Sequence, residues 1–447
     1  MRTLLTKLNL IITISLVVIV ANGQAPLDGY LQEGLKNNLV LQQKNIALDK
    51  ALVALKIANG MFSPSLTLLG NYTTGDGGRS ISFPVGDLLN PVYSTLNQIT
   101  GTENFPTIEN VNQNFFPRDF YDVRARASMP LVNTDLVYNR KIKAQQTVLQ
   151  ETEINVYKRE LIRNIKVAYY NYLAAQQVVK IYESALARAA EGKRVNESLL
   201  ENGKGLPAYI LRSQSELENI NAQLADAERQ VINARLYFNF LLNRDADAVI
   251  ESTDEVSWDD EPISIAQTRE ELTQVQTANL IQQDVLAMTR MFWMPRISGF
   301  IDVGAQAEQM RYNKNAHYYL LGLQLEMPLF AGFTNRNKIA QSRLEVKHTE
   351  LTLQQTSRQL NLSAETARNA YLTAQQNYSS AQKQFEAVQS YQRLIEKGYK
   401  EGVNTFIEAV DARTQLTSAQ LQLTLNRYRA RIALANLERE NASFNLN

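Results

Sequence analysis

Cysteine is absent from the sequence. Its absence excludes disulfide bonds, thiolate metal sites and a lipid attached through an N-terminal cysteine, so packing alone must hold the folded chain together. Histidine is scarce, because only His317 and His348 occur, too far apart in the chain for a site built from histidines. The patterns GxxxxGK(S/T), GxGxxG and HExxH are also missing. The sequence therefore predicts no enzyme, no cofactor and no nucleotide hydrolysis.

An excess of one charge sign is lacking as well, since 46 basic residues face 45 acidic ones. This balance offers no electrostatic footprint for nucleic acid. Long apolar runs are equally scarce. The run over residues 8–20, about 13 residues, is too short to cross a bilayer roughly 30 Å thick. It follows Arg2 and Lys7 and precedes Ala21-Asn22-Gly23, an arrangement typical of a secretory signal. We expect 1–23 to be a signal peptide and the mature chain to have no transmembrane helix.

The remaining sequence contains an internal duplication. Met129-Pro130-Leu131 recurs as Met327-Pro328-Leu329, and at nearly the same spacing Gly205, Ile210 and Asn239 match Gly402, Ile407 and Asn436. This repetition predicts two structural repeats, 24–244 and 263–447, joined by an acidic linker at 245–262. The first repeat carries additional residues in the stretch 75–119, which is rich in glycine, asparagine and proline. We expect that stretch to be a loop without further membrane strands.

Each repeat contains a helical hairpin of unusual length. Residues 135–202 and 335–397 lack proline and are rich in good helix formers, so each predicts a rod of about 100 Å at 1.5 Å per residue. Return helices are expected over 207–243 and 403–440. Paired glycines, which suit a left-handed helix stop, punctuate both turns: Gly203 and Gly205 in the first, Gly398 and Gly402 in the second. Rods with so much polar surface must pack in a coiled-coil arrangement.

Four shorter segments alternate between apolar and polar residues. They follow Pro64 and Pro295 and precede Pro130 and Pro328, and their polar faces carry charges. Strands of about 9 to 11 residues with this period are typical of membrane β-barrels, with Leu69 and Phe300 as exceptions to the pattern. Four strands cannot close a barrel, and an open edge in lipid leaves backbone groups unpaired. The strands of one barrel must therefore come from several chains.

The order of these features resembles the TolC-like outer membrane efflux family over nearly the whole chain. The features are the signal, the duplicated unit, the strands that begin after a proline, the strands that end in Met-Pro-Leu, and the helical hairpins that turn at glycines. The resemblance implies an α+β membrane protein. Four strands per chain, twelve in a homotrimer, would form a β-barrel in outer-membrane lipid of a Gram-negative bacterium, continued by a long α-helical coiled-coil tunnel in the periplasm. Residues 245–262 would lie in its equatorial region.

The same resemblance implies the partners and the function. The hairpin tips would meet a periplasmic adaptor, or membrane fusion, protein and an inner-membrane pump of the resistance-nodulation-division, ABC or major-facilitator type. The protein would be the passive exit duct of a tripartite efflux or type I secretion system that exports drugs, metals or proteins. The alternative is a trimeric, barrel-anchored surface stalk with a structural or adhesive role. Conductance in a planar bilayer distinguishes the two, because a stalk with a plugged anchor conducts nothing.

Members of that family carry a tyrosine, a glycine and two acidic residues at the narrowed periplasmic aperture, where this chain has Tyr399, Gly402, Glu408 and Asp411. The resemblance implies two rings of three carboxylates, which would raise one another's pKa and attract cations. The alternative is a solvated helix face. Well-known members place an arginine where this chain has Asn404, and Leu211 occupies the matching position of an acidic partner. A closing ion pair at these positions is therefore not expected.

Overall fold

The computed structural model describes residues 26–115, 119–251, 269–308, 313–444 and 446. The expected signal peptide, 1–23, and most of the acidic linker, 252–262, lie outside the described residues. The elements in chain order are α1 (Pro26–Asn37), α2 (Leu39–Gly60), β1 (Ser65–Thr73), β2 (Ser80–Phe83), α3 (Val85–Thr100), β3 (Val111–Asn114), β4 (Phe120–Val132), α4 (Thr134–Glu201), α5 (Pro207–Leu242), α6 (Glu270–Arg290), a 3-10 turn (Met291–Trp293), β5 (Arg296–Ala307), β6 (His317–Glu326), α7 (Thr334–Lys400) and α8 (Phe406–Glu440).

The chain forms two compact units, each of which draws residues from both repeats. One, the strand unit, consists of Leu52–Ala144 and Ile281–Val346, and the other, the helical unit, consists of Met1–Ala51, Gln145–Leu280 and Lys347–Asn447. The repeat boundaries read from the sequence are a different division, and they stay a prediction.

The strand unit contains a four-stranded antiparallel sheet in the order β1-β4-β5-β6. A strand therefore forms in each of the four alternating segments. Cross-strand pairing keeps like faces together, since Ala127 lies between Leu66 and Ile301 on one face. Arg126 lies between Thr67 and Asp302 on the other. The apolar face is exposed in the single chain, with Leu323 at 74% as one example.

The polar face contains an ion pair whose carboxylate is buried. The Nε and Nη2 atoms of Arg126 donate to the two carboxylate oxygens of Asp302 at 2.7 Å each, and Asp302 is fully buried. Phe300, an exception to the alternation, lies beneath the Arg126 guanidinium at 4.7 Å. The neighbouring strand has Gly322 opposite it, where a Cβ would lie 2.5 Å from the ring. An aromatic side chain fits this polar face because a cation covers it and a glycine leaves room for it.

The stretch 75–119, expected to be a loop without further membrane strands, contains two short strands and a helix among its described residues, and these strands are separate from the four-stranded sheet. Strands β2 and β3 pair as a small antiparallel sheet, and α3 lies between them. The prolines did not prevent these strands because Pro84 and Pro106 fall outside them, while Pro91 lies within α3. The Asn90 side chain holds α3 to the following segment by accepting from the Ile108 N–H at 2.8 Å and donating to its carbonyl at 2.9 Å.

The structure confirms the two rods, as α4 has 68 residues and α7 has 67. Helix α4 is packed along an apolar stripe with spacings of seven, four and three residues, since Ile154, Leu161, Ile165 and Ala168 are all buried. Its core includes Phe238 from α5 and Tyr30 from α1, whose rings meet edge to face at 5.1 Å. Within the described residues, no helix combines the length and the apolar content needed to cross a membrane.

Candidate functional site at the hairpin tips

Both rods end in the same hydrogen-bonded turn. The Lys204 N–H donates to the Leu199 carbonyl at 2.8 Å, and the Val403 N–H donates to the Gly398 carbonyl at 2.8 Å. In each turn the residue before the donor is a glycine with left-handed backbone, Gly203 at φ +72° and Gly402 at φ +78°. This six-to-one bond with a left-handed glycine is the Schellman ending of a helix. Gly203 is therefore the structural counterpart of Gly402. The sequence comparison had paired Gly402 with Gly205, two residues further along the chain.

The other two tip glycines have a different role from the expected one. Gly205 and Gly398 are not left-handed, and Gly398 lies inside α7 rather than at its end. A Cβ at Gly205 would lie 2.7 Å from the Leu200 nitrogen, and one at Gly398 would lie 2.0 Å from Asn404 Oδ1. The expectation of paired left-handed stops was wrong for these two residues, because they provide space for close approach instead. Composition alone does not distinguish these two uses of glycine.

The predicted aperture residues come together at the start of α8. Thr405 caps the helix: its hydroxyl accepts from the Glu408 N–H at 3.3 Å, and the Thr405 N–H donates to Glu408 Oε2 at 2.8 Å. Asn404 Nδ2 also donates to that carboxylate, at 3.2 Å. This reciprocal capping box stabilises the first turn. The Thr405 N–H, followed by the side chains of Asn404 and Thr405, lowers the pKa of Glu408, so within one chain the shift is opposite to that expected for a crowded ring.

Asp411 lies one turn beyond Glu408, and both carboxylates are on the exposed side of α8. Asp411 accepts a hydrogen bond from Gln415 Nε2 at 2.7 Å. The opposite side of the helix, with Phe406, Ala409 and Ala412, is buried. This geometry keeps both acids free to face a shared axis or bulk solvent.

Two contacts that the sequence did not indicate join the two hairpins near their tips, and a third joins the two helices of the first hairpin. The Tyr399 hydroxyl donates to Asn196 Oδ1 at 2.5 Å, and Asn196 Nδ2 donates to the Ser213 hydroxyl at 2.8 Å. The rings of Tyr209 and Phe406 lie 4.8 Å apart. Burial raises the pKa of Tyr399, while the charge of Arg413 opposes that rise. The tyrosine therefore stays a neutral donor that holds α7 to α4.

An ion pair also links the hairpins, although not at the positions considered in the sequence. Arg413 Nη2 of α8 lies 3.7 Å from Glu216 Oε2 of α5, and the Arg413 side chain is buried while that of Glu216 is mostly buried. Since Arg413 and Glu216 belong to no recognisable motif, only the packing reveals that they meet. Within the described residues, no group of three or more acidic or histidine side chains could hold a metal ion.

Comparison with known proteins explains this architecture. The family model for outer membrane efflux proteins matches residues 30–244 and 265–440, nearly the entire described chain. The chain belongs to the outer membrane efflux protein family. As a member, it is an outer-membrane efflux channel of a Gram-negative bacterium, with its helical part in the periplasm. The family is one of channels rather than enzymes.

Solved channels share the fold of this efflux protein. The Campylobacter jejuni CmeC outer membrane channel is 14% identical at a TM-score of 0.77, covering 94% of this chain and 86% of CmeC. Vibrio cholerae VceC is 12% identical at a TM-score of 0.75, covering 93% of this chain and 96% of VceC. The open state of Neisseria gonorrhoeae MtrE is 16% identical at a TM-score of 0.72, covering 93% of this chain and 89% of MtrE. No curated protein sequence matches the chain.

Proposed function

We propose that this efflux channel is the passive exit duct of a tripartite export system and that it works as a homotrimer. The observation that carries the proposal is the sheet. Within the described residues its outer strands, β1 and β6, are each paired on one side only, and its apolar face is exposed. Lipid suits that face, but unpaired strand edges are too costly in a bilayer. Copies of the chain that pair edge to edge satisfy both conditions.

Three copies would supply twelve strands, the number that the family resemblance implies. The charged face would then line the barrel interior, where Arg126 and Asp302 give a polar wall. A wall of this kind suits the passage of solutes without covalent chemistry. The stretch 75–119, with β2, β3 and α3, would lie on the extracellular side, where barrel connections are long.

The hairpin tips are the proposed docking surface for a periplasmic adaptor and, through it, an inner-membrane pump. Apolar side chains are exposed at both tips: Leu206 and Leu211 at the first, Val403 and Ile407 at the second. Grouped apolar exposure of this kind is typical of protein-protein contact. The chain contains no nucleotide-binding pattern, so a pump must supply the energy for export.

Glu408 and Asp411 are the proposed aperture acids. Three copies of each near a common axis would concentrate negative potential where screening is weak. Because Glu408 also caps α8, alanine would remove the cap together with the charge. Glu408→Gln with Asp411→Asn is the sharper change, since each amide oxygen can still accept the hydrogen bonds that the carboxylate accepts.

The test is single-channel current through the purified protein in a planar bilayer. The parent protein should conduct, prefer cations and be blocked by small trivalent cations from the periplasmic side. The double variant should lose the block and part of the preference. Asp226→Asn is the matched control, because Asp226 accepts from Gln230 at 2.7 Å as Asp411 does from Gln415. A protein that does not conduct would support the surface-stalk alternative. If trivalent cations block the double variant as they block the parent, Glu408 and Asp411 belong to a solvated helix face and not to the aperture.

A further inference from the structure

A polar cavity of about 210 Å³ lies in the helical unit between α4, α5 and α8. Arg188 from α4, Glu216 from α5 and Arg413 from α8 line it, together with the hydroxyls of Thr414 and Thr417. Thr414 is exposed, so solvent reaches the cavity. At roughly 30 Å³ per water molecule, the volume holds about seven waters. It therefore has room for a small ligand with part of its hydration.

The Arg413 side chain is the best-defined feature of the cavity wall. It is only 5% exposed, and its guanidinium lies directly against Gly192, the single glycine of α4. A Cβ at Gly192 would lie 2.0 Å from Arg413 Nη1 and 2.7 Å from its Cζ. The glycine thus makes room for the guanidinium, and the packing holds this cation in one position.

The Arg413 guanidinium has hydrogen-bond donors that are not used. Among the described residues, Arg413 Nε and Nη2 have no hydrogen-bond partner, because Glu216 Oε2 stays 3.7 Å away. Buried donors without partners are rare in folded proteins, since each loses its hydration without compensation. The wall of this cavity therefore has unused hydrogen-bonding capacity that a ligand could satisfy.

A second guanidinium converges on the same space. Arg188 Nη2 donates to Thr417 Oγ1 at 3.3 Å and to Gln420 Oε1 at 3.2 Å, whereas its buried Nε has no partner among the described residues. Burial and the nearby charge of Arg413 lower the pKa of Arg188. The two like charges repel each other, and an anion between them would offset that repulsion.

Negative charge within the cavity is limited. Glu216 is the acidic side chain that lines it, so two guanidinium groups face one carboxyl group. Burial raises the pKa of Glu216, although the charges of Arg413 and Arg212 oppose the rise and Glu396 adds to it. The cavity therefore carries net positive charge at neutral pH, and this surplus favours an anionic ligand.

We propose that this cavity is a binding site for a small oxyanion such as inorganic phosphate or sulfate. The free Arg413 donors would bind two of its oxygens, as guanidinium groups do with phosphate, and Arg188 and the threonine hydroxyls would complete the site. The anion would join α4, α5 and α8, and any movement that separates these helices would dismantle the site. The proposal concerns a pocket within one chain and does not depend on the proposed export role.

The test is isothermal titration calorimetry of the intact, detergent-solubilised protein with inorganic phosphate and with sulfate at low ionic strength. One saturable site per chain is expected. Arg413→Gln and Arg188→Gln should each weaken binding about tenfold or more, since each removes a charged donor. Glu216→Gln should bind about fivefold tighter, because it removes the competing negative charge. A gain in affinity cannot come from misfolding, so this variant remains informative if the arginine variants are unstable.

Arg393→Gln is the matched control, because Arg393 is exposed on α7, and its affinity should equal that of the parent. Absence of saturable binding by the parent protein would overturn the proposal. So would equal affinity in the Arg413→Gln variant, or a structure of the assembled protein with a neighbouring chain's carboxylate in the cavity. Because the readout is binding, its failure would leave conduction untouched, and loss of conduction would not remove the anion site.

Discussion

Replacing Gly192 with alanine should destabilise the protein, although alanine is the better helix former. In the interior of an exposed helix this change stabilises by about 0.5–1 kcal/mol. Here the new methyl group would lie 2.0 Å from Arg413 Nη1 and 3.0 Å from Nη2. These distances are too short for any contact, so the guanidinium must move. The cavity beside it gives it room to move, but the movement takes it out of its packed position against α4.

The expected size of the effect follows from two opposing contributions. Displacement of a packed side chain by an inserted methyl group costs about 1–3 kcal/mol, and the gain in helix propensity offsets about 1 kcal/mol of that. A net loss of up to about 2 kcal/mol is therefore expected. Gly29→Ala is the matched control, since Gly29 lies in α1 with nothing within 4 Å of the added Cβ. That variant should gain about 0.5–1 kcal/mol.

The two variants should therefore shift the unfolding midpoint in opposite directions when circular dichroism follows thermal or urea unfolding in the same detergent. Comparison of the signs is robust even where unfolding of a membrane protein is not fully reversible. If Gly192→Ala raises the midpoint as Gly29→Ala does, the guanidinium of Arg413 does not pack against α4 and the reasoning fails.

Tyr399→Phe should lower the free energy of unfolding by about 1–3 kcal/mol, because it leaves the buried Asn196 amide oxygen without its tyrosine donor. Tyr391→Phe, at an exposed position of the same helix, should leave the free energy of unfolding unchanged. An equal loss in both variants would refute a specific role for the Tyr399 hydroxyl. Gly402→Val should increase hydrogen exchange in the second tip, because valine resists the φ of +78° that this turn requires. It should also abolish export while the protein still assembles, and export at the parental rate would contradict the importance of this turn.

Much of the architecture was accessible from local pattern. Helix and strand periods persist over many residues, so the two rods and the four strands were predicted to within a few residues of their observed ends. The repeat also located both hairpin turns. The register between the repeats was less secure, because matching identical glycines paired Gly205 with Gly402, whereas the hydrogen bonds pair Gly203 with Gly402.

The candidate site divides in the same way. Glu408 and Asp411 were named through the resemblance to the family, and the three-residue spacing that puts them on one helix face is local. Asn404 stood out as a departure from the family. The capping box of Glu408 was equally local, since Thr405 precedes it by three residues, although only the hydrogen bonds reveal that Asn404 shares the carboxylate.

What the sequence alone determined is whatever depends on neighbours along the chain: the helical and strand segments, their apolar faces, and the positions of the turns. The tertiary structure decided the contacts between distant residues. Phe300 on a polar face became intelligible once Gly322 lay opposite it and Arg126 above it. Gly192 became intelligible once Arg413 lay against it. Such pairs are separated by many residues and carry no period, and close packing, which acts only at contact distance, is the force that selects them.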